Sequence, residues 1–150
     1  MPSSLRACLA ALLAAASFSA AADSPAPPRR VEIHAGAHTF KVEVARTPQQ
    51  RQVGLMGRTR LDDNTGMLFV FERAAPQCFW MKDTLIPLSI AFLADDGSII
   101  NIADMQPQAL DLHCSQVPVR HALEVKQGGF SSKGIKPGMR ITGGPFEPRH

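Results

Sequence analysis

The fold of this chain of 150 residues is constrained most strongly by short runs in which apolar and polar residues alternate. Val31 and Ile33 alternate with polar neighbours, and the same period of two recurs over 40–44 and 119–125. No stretch of the proposed domain carries a long helical period. The pattern is typical of half-buried β-strands. It predicts seven or eight strands in a mainly β fold, a compact antiparallel β-sandwich or small barrel with one or two short helices.

Turn and capping residues predict where some of these elements begin and end. The sequence 35–37 (Ala-Gly-Ala) predicts a hairpin turn. Thr47 is typical of a helix N-cap, with Pro48 at the first helical position and Gln50 completing a capping box. Residues 67–71 are all apolar, which predicts a central strand, and 77–81 predict the next one.

The segment 88–105 predicts a hairpin around the loop Asp95-Asp96-Gly97. A three-residue loop places Phe92 opposite Ile100 and keeps apolar residues on one face, whereas a slip of one residue would turn the strand over. The same register places residue 90 opposite residue 102. Gly97 supplies the left-handed residue that such a loop needs.

The N-terminus predicts export. Residues 1–22 combine a weakly positive start, an Ala/Leu run and small residues before a cleavage site, as in a secretory signal. We expect cleavage after Ala22, with Ala20 as the alternative site; an uncleaved anchor helix is the other interpretation. Residues 23–30 then form a Pro-rich tether, 31–142 a single β domain and 143–150 a loop-like tail. The predicted location is periplasmic or secreted, with no membrane span in the mature chain.

Charge is sparse, and its net value is +3. No block of Lys and Arg is present, which argues against a dedicated nucleic-acid binder, since such proteins present a clustered basic face. For an exported domain, the expected partner is an unknown small molecule or a protein of the cell envelope.

Of the three cysteines, Cys8 falls in the predicted signal, which leaves Cys78 and Cys114. In an oxidising compartment, two cysteines in a small domain favour a disulfide, and two free thiols are the alternative. The histidines do not have the spacing of metal ligands, so we expect no metal and no cofactor.

The most unusual string is 79–84, which joins the single Trp to charged and hydroxyl groups. A strand that ends in an aromatic residue with convergent polar side chains is what a small pocket needs. Arg51 and Arg58 on the neighbouring helix and loop add positive charge for an anionic group. The ligand-binding candidates are Arg51, Arg58, Trp80, Lys82, Asp83 and Thr84.

Two alternatives remain open beside ligand binding. One is a hydrolase or lyase that uses Asp83 with His121 or Glu124 as acid and base. The other is a structural or interaction domain, in which Trp80 is a buried core residue and no cleft lies near Lys82.

Several ordered strings resemble the family known as domain of unknown function 192, over residues 31–142. They are Gly54-Leu55-Met56, Gly66 to Phe71, Phe79 to Leu88, Asp96-Gly97, Leu123-Glu124-Val125 with Gly128, and Gly134-Ile135 with Gly138. The resemblance implies a compact β-sandwich or barrel, often behind a secretory signal, and no established activity. Asp83 stands where Asn is typical of the family, and Ser89 where Asp is typical.

Overall fold

The computed structural model describes residues 26–147. The predicted signal over 1–22 lies outside the described residues, as do 23–25 of the tether and 148–150 of the tail. The strands are β1 (Arg29–Ala35), β2 (His38–Ala45), β3 (Thr65–Ala75), β4 (Cys78–Phe79), β5 (Leu88–Leu93), β6 (Ile99–Met105), β7 (His113–Cys114), β8 (Val119–Lys126) and β9 (Ile141–Gly143). One α-helix, α1 (Pro48–Val53), and two 3-10 turns (Ser131–Lys133 and Gly144–Phe146) complete the elements.

Seven of these strands form one sheet in the order β6-β5-β8-β3-β2-β1-β9, and β4 pairs with β7 separately. The larger sheet curls into a half-barrel, and the mainly β prediction is confirmed. The pairing is antiparallel except between β2 and β3, which run parallel. The expectation of antiparallel pairing is wrong at this pair because the connection 46–64, which contains α1, returns the chain to the same end of the sheet.

Both faces of the sheet centre are covered by apolar clusters. Leu68 of β3 and Leu123 of β8 belong to one cluster, which we call the first core. Met67 and Phe69 belong to the second core, on the opposite face, together with Ala122. Because side chains alternate between faces along a strand, β3 and β8 supply both cores at once. The helix α1 and the segment 79–87 lie on the side of the second core.

The local signals at the first hairpin and the helix are confirmed. Gly36 adopts a φ of 58° in the turn between β1 and β2. Thr47 accepts a hydrogen bond from the backbone of Gln50 at 3.1 Å, and the Gln50 side chain accepts one from the Thr47 backbone at 3.1 Å. Pro48 is the first residue of α1. The expected central strand 67–71 lies within β3, between β2 and β8.

The loop of the second hairpin is as expected, but the register of its strands is not. Gly97 has a φ of 85°, and the Ala94 N–H donates to the Ser98 carbonyl at 2.9 Å across the loop. Further along, Phe92 faces Asn101 instead of Ile100. Residue 90 correspondingly faces Ala103 instead of Ile102.

A β-bulge between β5 and β6 causes this shift. Leu93 pairs with Ile99 and Phe92 with Asn101, so Ile100 is the extra residue. The expected register assumed that β5 buries one face only. Every residue of β5 is buried, so either register leaves apolar side chains in a core and the alternation pattern does not select between them.

The ends of the domain differ from the expected boundaries. Arg29 and Arg30, assigned to the tether, open β1, and the Gln50 side chain donates to the Ala26 carbonyl at 3.1 Å. At the other end, Gly143 closes β9 and Phe146 packs against the first core. The strand expected over 77–81 is only two residues long. Within 26–147, no helix is long and apolar enough to cross a membrane.

Candidate functional site

A cavity of about 530 Å³ opens on the side of the second core. One wall is α1 and the loop after it, a second is β3, and the third is the segment 77–84. Its lining includes four aromatic side chains and four ionisable ones, namely Phe69, Phe71, Phe79 and Trp80, with Arg51, Lys82, Asp83 and Glu124. The string singled out in the sequence therefore lines a cavity.

Glu124 lies where the cavity meets the sheet. It faces Met67 of β3 on one side and Ile90 of β5 on the other, and both are buried. The Glu124 residue is 5% exposed, and burial is the only influence on its carboxyl, since no hydrogen bond or charge of the described residues acts on it. Burial raises the pKa of Glu124 from the usual 4.5 to about 8, because an apolar surrounding disfavours the ionised form. Its carboxyl group is thus mostly protonated at neutral pH.

Trp80 lines the mouth of the cavity and is 46% exposed. The Lys82 ammonium lies 5.4 Å from the centre of the Trp80 ring, which is within the range of a cation–π contact. The structural alternative required a buried Trp80 and no cleft near Lys82, and the observed geometry meets neither condition.

Asp83 and Thr84 form the tight turn beside this tryptophan. Asp83 has a φ of 53°, and its carbonyl accepts a hydrogen bond from the Gly57 N–H at 2.9 Å. Asn and Asp tolerate this left-handed conformation better than most residues, so the Asp found here suits the backbone, as would the Asn that the resemblance implies at this position. Thr84 is buried, and its hydroxyl donates to the Lys82 carbonyl at 3.1 Å.

The two candidate arginines have different surroundings. Arg51 lies in the cavity wall, with its guanidinium 5.1 Å from the centre of the Phe71 ring. It donates to the Val70 carbonyl at 3.0 Å and also to the Arg46 carbonyl. Its position therefore depends on β3 as well as on α1.

Arg58 is outside this cavity and lines a separate one of about 260 Å³. It donates two hydrogen bonds to the Glu43 carboxylate, at 3.0 and 2.6 Å. The guanidinium, through these bonds, lowers the pKa of Glu43 from its usual value. The structure therefore does not bring Arg58 to the Trp80 site, because its charge is paired with Glu43 of β2.

His121 is likewise not at the site. It pairs with Val70 on the opposite face of the sheet from Glu124, and its ring packs 4.9 Å from that of Phe146. Burial lowers the pKa of His121, and its Nδ1 lies 3.6 Å from Asp95 without forming a hydrogen bond. A pairing of Asp83 with His121 is therefore not formed, because strand alternation sends the imidazole to the other face.

Asp83 and Glu124, the other expected pair, line the same cavity. Asp83 is exposed at the mouth, whereas Glu124 is buried at the base. Two carboxyl groups of one cavity thus have opposite environments. No group of three or more His, Cys, Asp or Glu in 26–147 is arranged to hold a metal ion.

Cys78 and Cys114 form a disulfide, as predicted. They are directly opposite each other on β4 and β7. Beside them, the Gln77 N–H donates to the Ser115 hydroxyl at 3.0 Å, and the Ser115 N–H donates to the Gln77 carbonyl at 2.8 Å. Cys78 and Gln77 both line the cavity, so the disulfide fixes one side of its mouth.

Sequence reasoning missed Glu124 as the base of the cavity and the rings of Phe69, Phe71 and Phe79 as its walls. One signal was available for Glu124. It is the single charged residue in the apolar run 122–125, and a carboxylate within such a run needs either solvent or a partner.

The comparisons with known proteins agree with this fold. The family model DUF192, described as Uncharacterized ACR, matches residues 30–143. A protein from Sinorhizobium meliloti 1021, described as a candidate transcription regulator, is 35% identical with a TM-score of 0.73; the match covers 80% of this chain and 95% of that one. A protein of unknown function from Novosphingobium aromaticivorans DSM 12444 is 32% identical with a TM-score of 0.71; the match covers 85% of this chain and 99% of that one.

No curated protein matches the chain. The fold and the cavity define a small mainly β domain with a buried carboxyl at the base of an aromatic-lined cleft. The chain belongs to the DUF192 family.

Proposed function

We propose that this protein is an exported domain that binds a small organic molecule in the cavity beside Trp80. The observation that carries the proposal is Glu124, a buried residue that lines an open cavity and whose carboxyl is influenced by burial alone, with no charged or hydrogen-bonding group of the described residues acting on it. Burial of a carboxyl among apolar groups costs free energy, and a ligand group that bonds to this carboxyl recovers part of that cost.

The size and lining of the cavity support the same proposal. A volume of about 530 Å³ lies in the range of small-molecule sites, which combine apolar walls with a few polar groups. The walls here are aromatic, and the exposed Lys82 and Asp83 supply charged groups near the mouth.

Tryptophan fluorescence and native mass spectrometry test the proposal. The sole Trp lies at the mouth, so a bound small molecule should change its emission, and the purified full chain should retain such a molecule at one equivalent. Glu124→Gln should weaken retention at least tenfold. Glu72→Gln, which removes an exposed carboxylate of β3 outside the cavity lining, should not. Equal retention by the two variants, or unchanged emission with every compound of an envelope-metabolite panel, contradicts the proposal.

A second candidate is acid–base catalysis by a hydrolase or lyase that uses Glu124 and Asp83. It is favoured by the opposite environments of these two carboxyls, since Glu124 is buried and kept protonated whereas Asp83 is exposed at the mouth. Turnover separates catalysis from binding: a catalyst converts many equivalents of a metabolite pool, and Asp83→Asn and Glu124→Gln each abolish the conversion. A binding protein removes no more than one equivalent.

Export is the remaining part of the proposal. The Cys78–Cys114 disulfide supports it, because such bonds persist in oxidising compartments and are rare in the cytosol. A protein of the envelope is a second class of partner, and the exposed Trp80 at the mouth is where a partner's segment would contact the domain.

A further inference from the structure

We infer that the ligand carries a protonated amine, whose nitrogen is bound by the Glu124 carboxylate at the base of the cavity. This inference rests on the proposed small-molecule site and names the chemical class of its occupant.

The surroundings of Glu124 give the first argument. Its cross-strand neighbours, Met67 and Ile90, are apolar and buried, so the sheet offers its carboxylate neither a donor nor a cation. The charged residues that line the cavity are Arg51 on α1, with Lys82 and Asp83 in the turn. None of them forms an ion pair with Glu124, and burial is the only cause of its raised pKa. The cation that would stabilise the ionised carboxyl is therefore missing from the described protein.

The walls give the second argument. The rings of Phe69 and Phe79 pack edge to face at 5.0 Å, and those of Phe71 and Phe79 at 6.2 Å. Aromatic faces attract ammonium and guanidinium groups. Two of the protein's own cations already use such faces at this site, Arg51 on Phe71 and Lys82 on Trp80. Aromatic walls above a buried carboxylate are therefore suited to an ammonium group.

Both basic side chains of the lining are committed elsewhere. Arg51 is bound to the carbonyls of Arg46 and Val70 while it stacks on Phe71. The Lys82 ammonium lies over the exposed Trp80 ring at the mouth. An anionic ligand would meet these cations near the mouth, but it would face the Glu124 carboxyl further in. A ligand that enters with its amine group foremost places the ammonium against the Glu124 carboxylate at the base of the cavity.

The number of protons released on binding distinguishes an ammonium ligand from a neutral or anionic one. With a pKa of about 8, about nine in ten free sites hold a proton on Glu124 at pH 7. When an ammonium group binds to the carboxylate, that proton leaves the carboxyl oxygen for the solvent, and the ligand keeps its own. Binding should therefore release close to one proton at pH 7. The apparent affinity should rise about tenfold per pH unit from pH 6 and level off above pH 8.

Isothermal titration calorimetry of the full chain tests this with three probes of similar size: 2-phenylethylamine, 2-phenylethanol and phenylacetate. Titrations at pH 7 in two buffers of different ionisation enthalpy give the number of protons released. We expect the amine to bind at least tenfold more tightly than the other two probes and to release roughly 0.5–1 proton per bound molecule at pH 7. Glu124→Gln should remove both effects, and Glu72→Gln should remove neither.

The outcomes separate this inference from the proposed function. If the alcohol or phenylacetate binds as tightly as the amine, the amine assignment is overturned and the binding site stands. If none of the three binds, the amine assignment is again overturned. Retention of a molecule in native mass spectrometry then decides independently whether the cavity is a binding site. Should Glu124→Gln fail to fold, proton release and pH dependence in the unsubstituted protein still decide the question.

Discussion

Cys78 and Cys114 occupy directly opposed positions on β4 and β7, and their bond joins the two long connections that flank the second core. The first connection carries Trp80 and Lys82, and the second lies beside it, with the Met81 N–H donating to the Ala109 carbonyl at 2.9 Å. The disulfide thus holds together two segments whose only strand pairing is the short one between β4 and β7.

Reduction of this bond should destabilise the protein markedly. The two cysteines are 36 residues apart, and closing a loop of that length contributes about 4 kcal/mol in the chain-entropy model. We expect the paired substitution Cys78→Ser with Cys114→Ser to lower the free energy of unfolding by about this amount, measured by urea denaturation. Reductant should shift the parent protein to the midpoint of the double variant. A parent protein that is insensitive to reductant contradicts the prediction.

Glu124 should make stability depend on pH. Its pKa is near 8 in the folded state and near 4.5 when exposed, so between these values the unfolded chain has released the proton and the folded chain retains it. Stability should fall as pH rises through this window, by about 1.4 kcal/mol per unit, and level off above it. Glu124→Gln removes this slope. Urea denaturation from pH 5 to 9 measures it, and parallel curves for the two proteins would refute the assignment.

Substitutions of Arg51 and Arg58 should have different effects, one on ligand binding and the other on the free energy of unfolding. Arg58→Gln breaks the pair with Glu43 and should cost up to about 1 kcal/mol, as expected for a partly exposed ion pair, while ligand binding at the cavity is unchanged. That contribution should disappear as pH falls below 4.5, because the pKa of Glu43 is lowered by Arg58.

Arg51→Gln should instead weaken binding, since it removes the contacts of the cavity wall with Phe71 and Val70. Trp80 fluorescence titration beside urea denaturation distinguishes the two variants. Equal effects of both on binding would show that the sites are not separate.

Ser89 stands where the family resemblance implies Asp, and introducing that Asp tests what the serine does. The buried Ser89 hydroxyl donates to the Asp104 carboxylate at 2.6 Å and accepts from the Gly128 N–H at 3.0 Å. Ser89→Asp would place a second carboxylate against Asp104, and we expect a loss of about 2–3 kcal/mol. Adding Asp104→Asn should recover most of it, because an amide donates where the carboxylate repels. Thermal unfolding of the single and double variants measures the coupling, and additive losses would contradict it.

Export should leave a mass signature. If residues 1–22 are removed as a signal, the exported chain begins at Asp23 and retains only Cys78 and Cys114 of the three cysteines. Its intact mass should match 23–150 with one disulfide. Thiol titration after unfolding without reductant should then find no reactive thiol. A full-length mass or two reactive thiols would argue against export.

Local signals predicted the local structure well. Thr47 and Gln50 bond to each other's backbone, and Gly36 and Gly97 occupy the turns, because caps and tight turns depend on residues close in sequence. The string around Trp80 pointed to the correct region for the same reason. It joins unlike side chains in a turn that interrupts regular pairing.

Features that depend on distant residues were not predictable from these signals. The alternation around Glu124 predicts a strand with one solvent-exposed face. In the structure, β8 lies between β3 and β5, and its residues are buried on both faces of the sheet. The bulge at Ile100 depends on how two buried strands fit together. The separation of Arg58 from the Trp80 site depends on Glu43, which is fifteen positions away.

The cavity draws on parts of the chain that are far apart, since its lining begins at Pro48 and ends at Glu124. Its base is in place only after β8 has joined β3 and β5. Non-local pairings of this kind form slowly, because the chain loses loop entropy before the contacts stabilise it. A chain that ends before β8 would therefore keep the helix, the tryptophan and both cysteines, yet it would lack the floor of the site. We therefore expect the proposed ligand binding to recover late in refolding, when the whole sheet is complete.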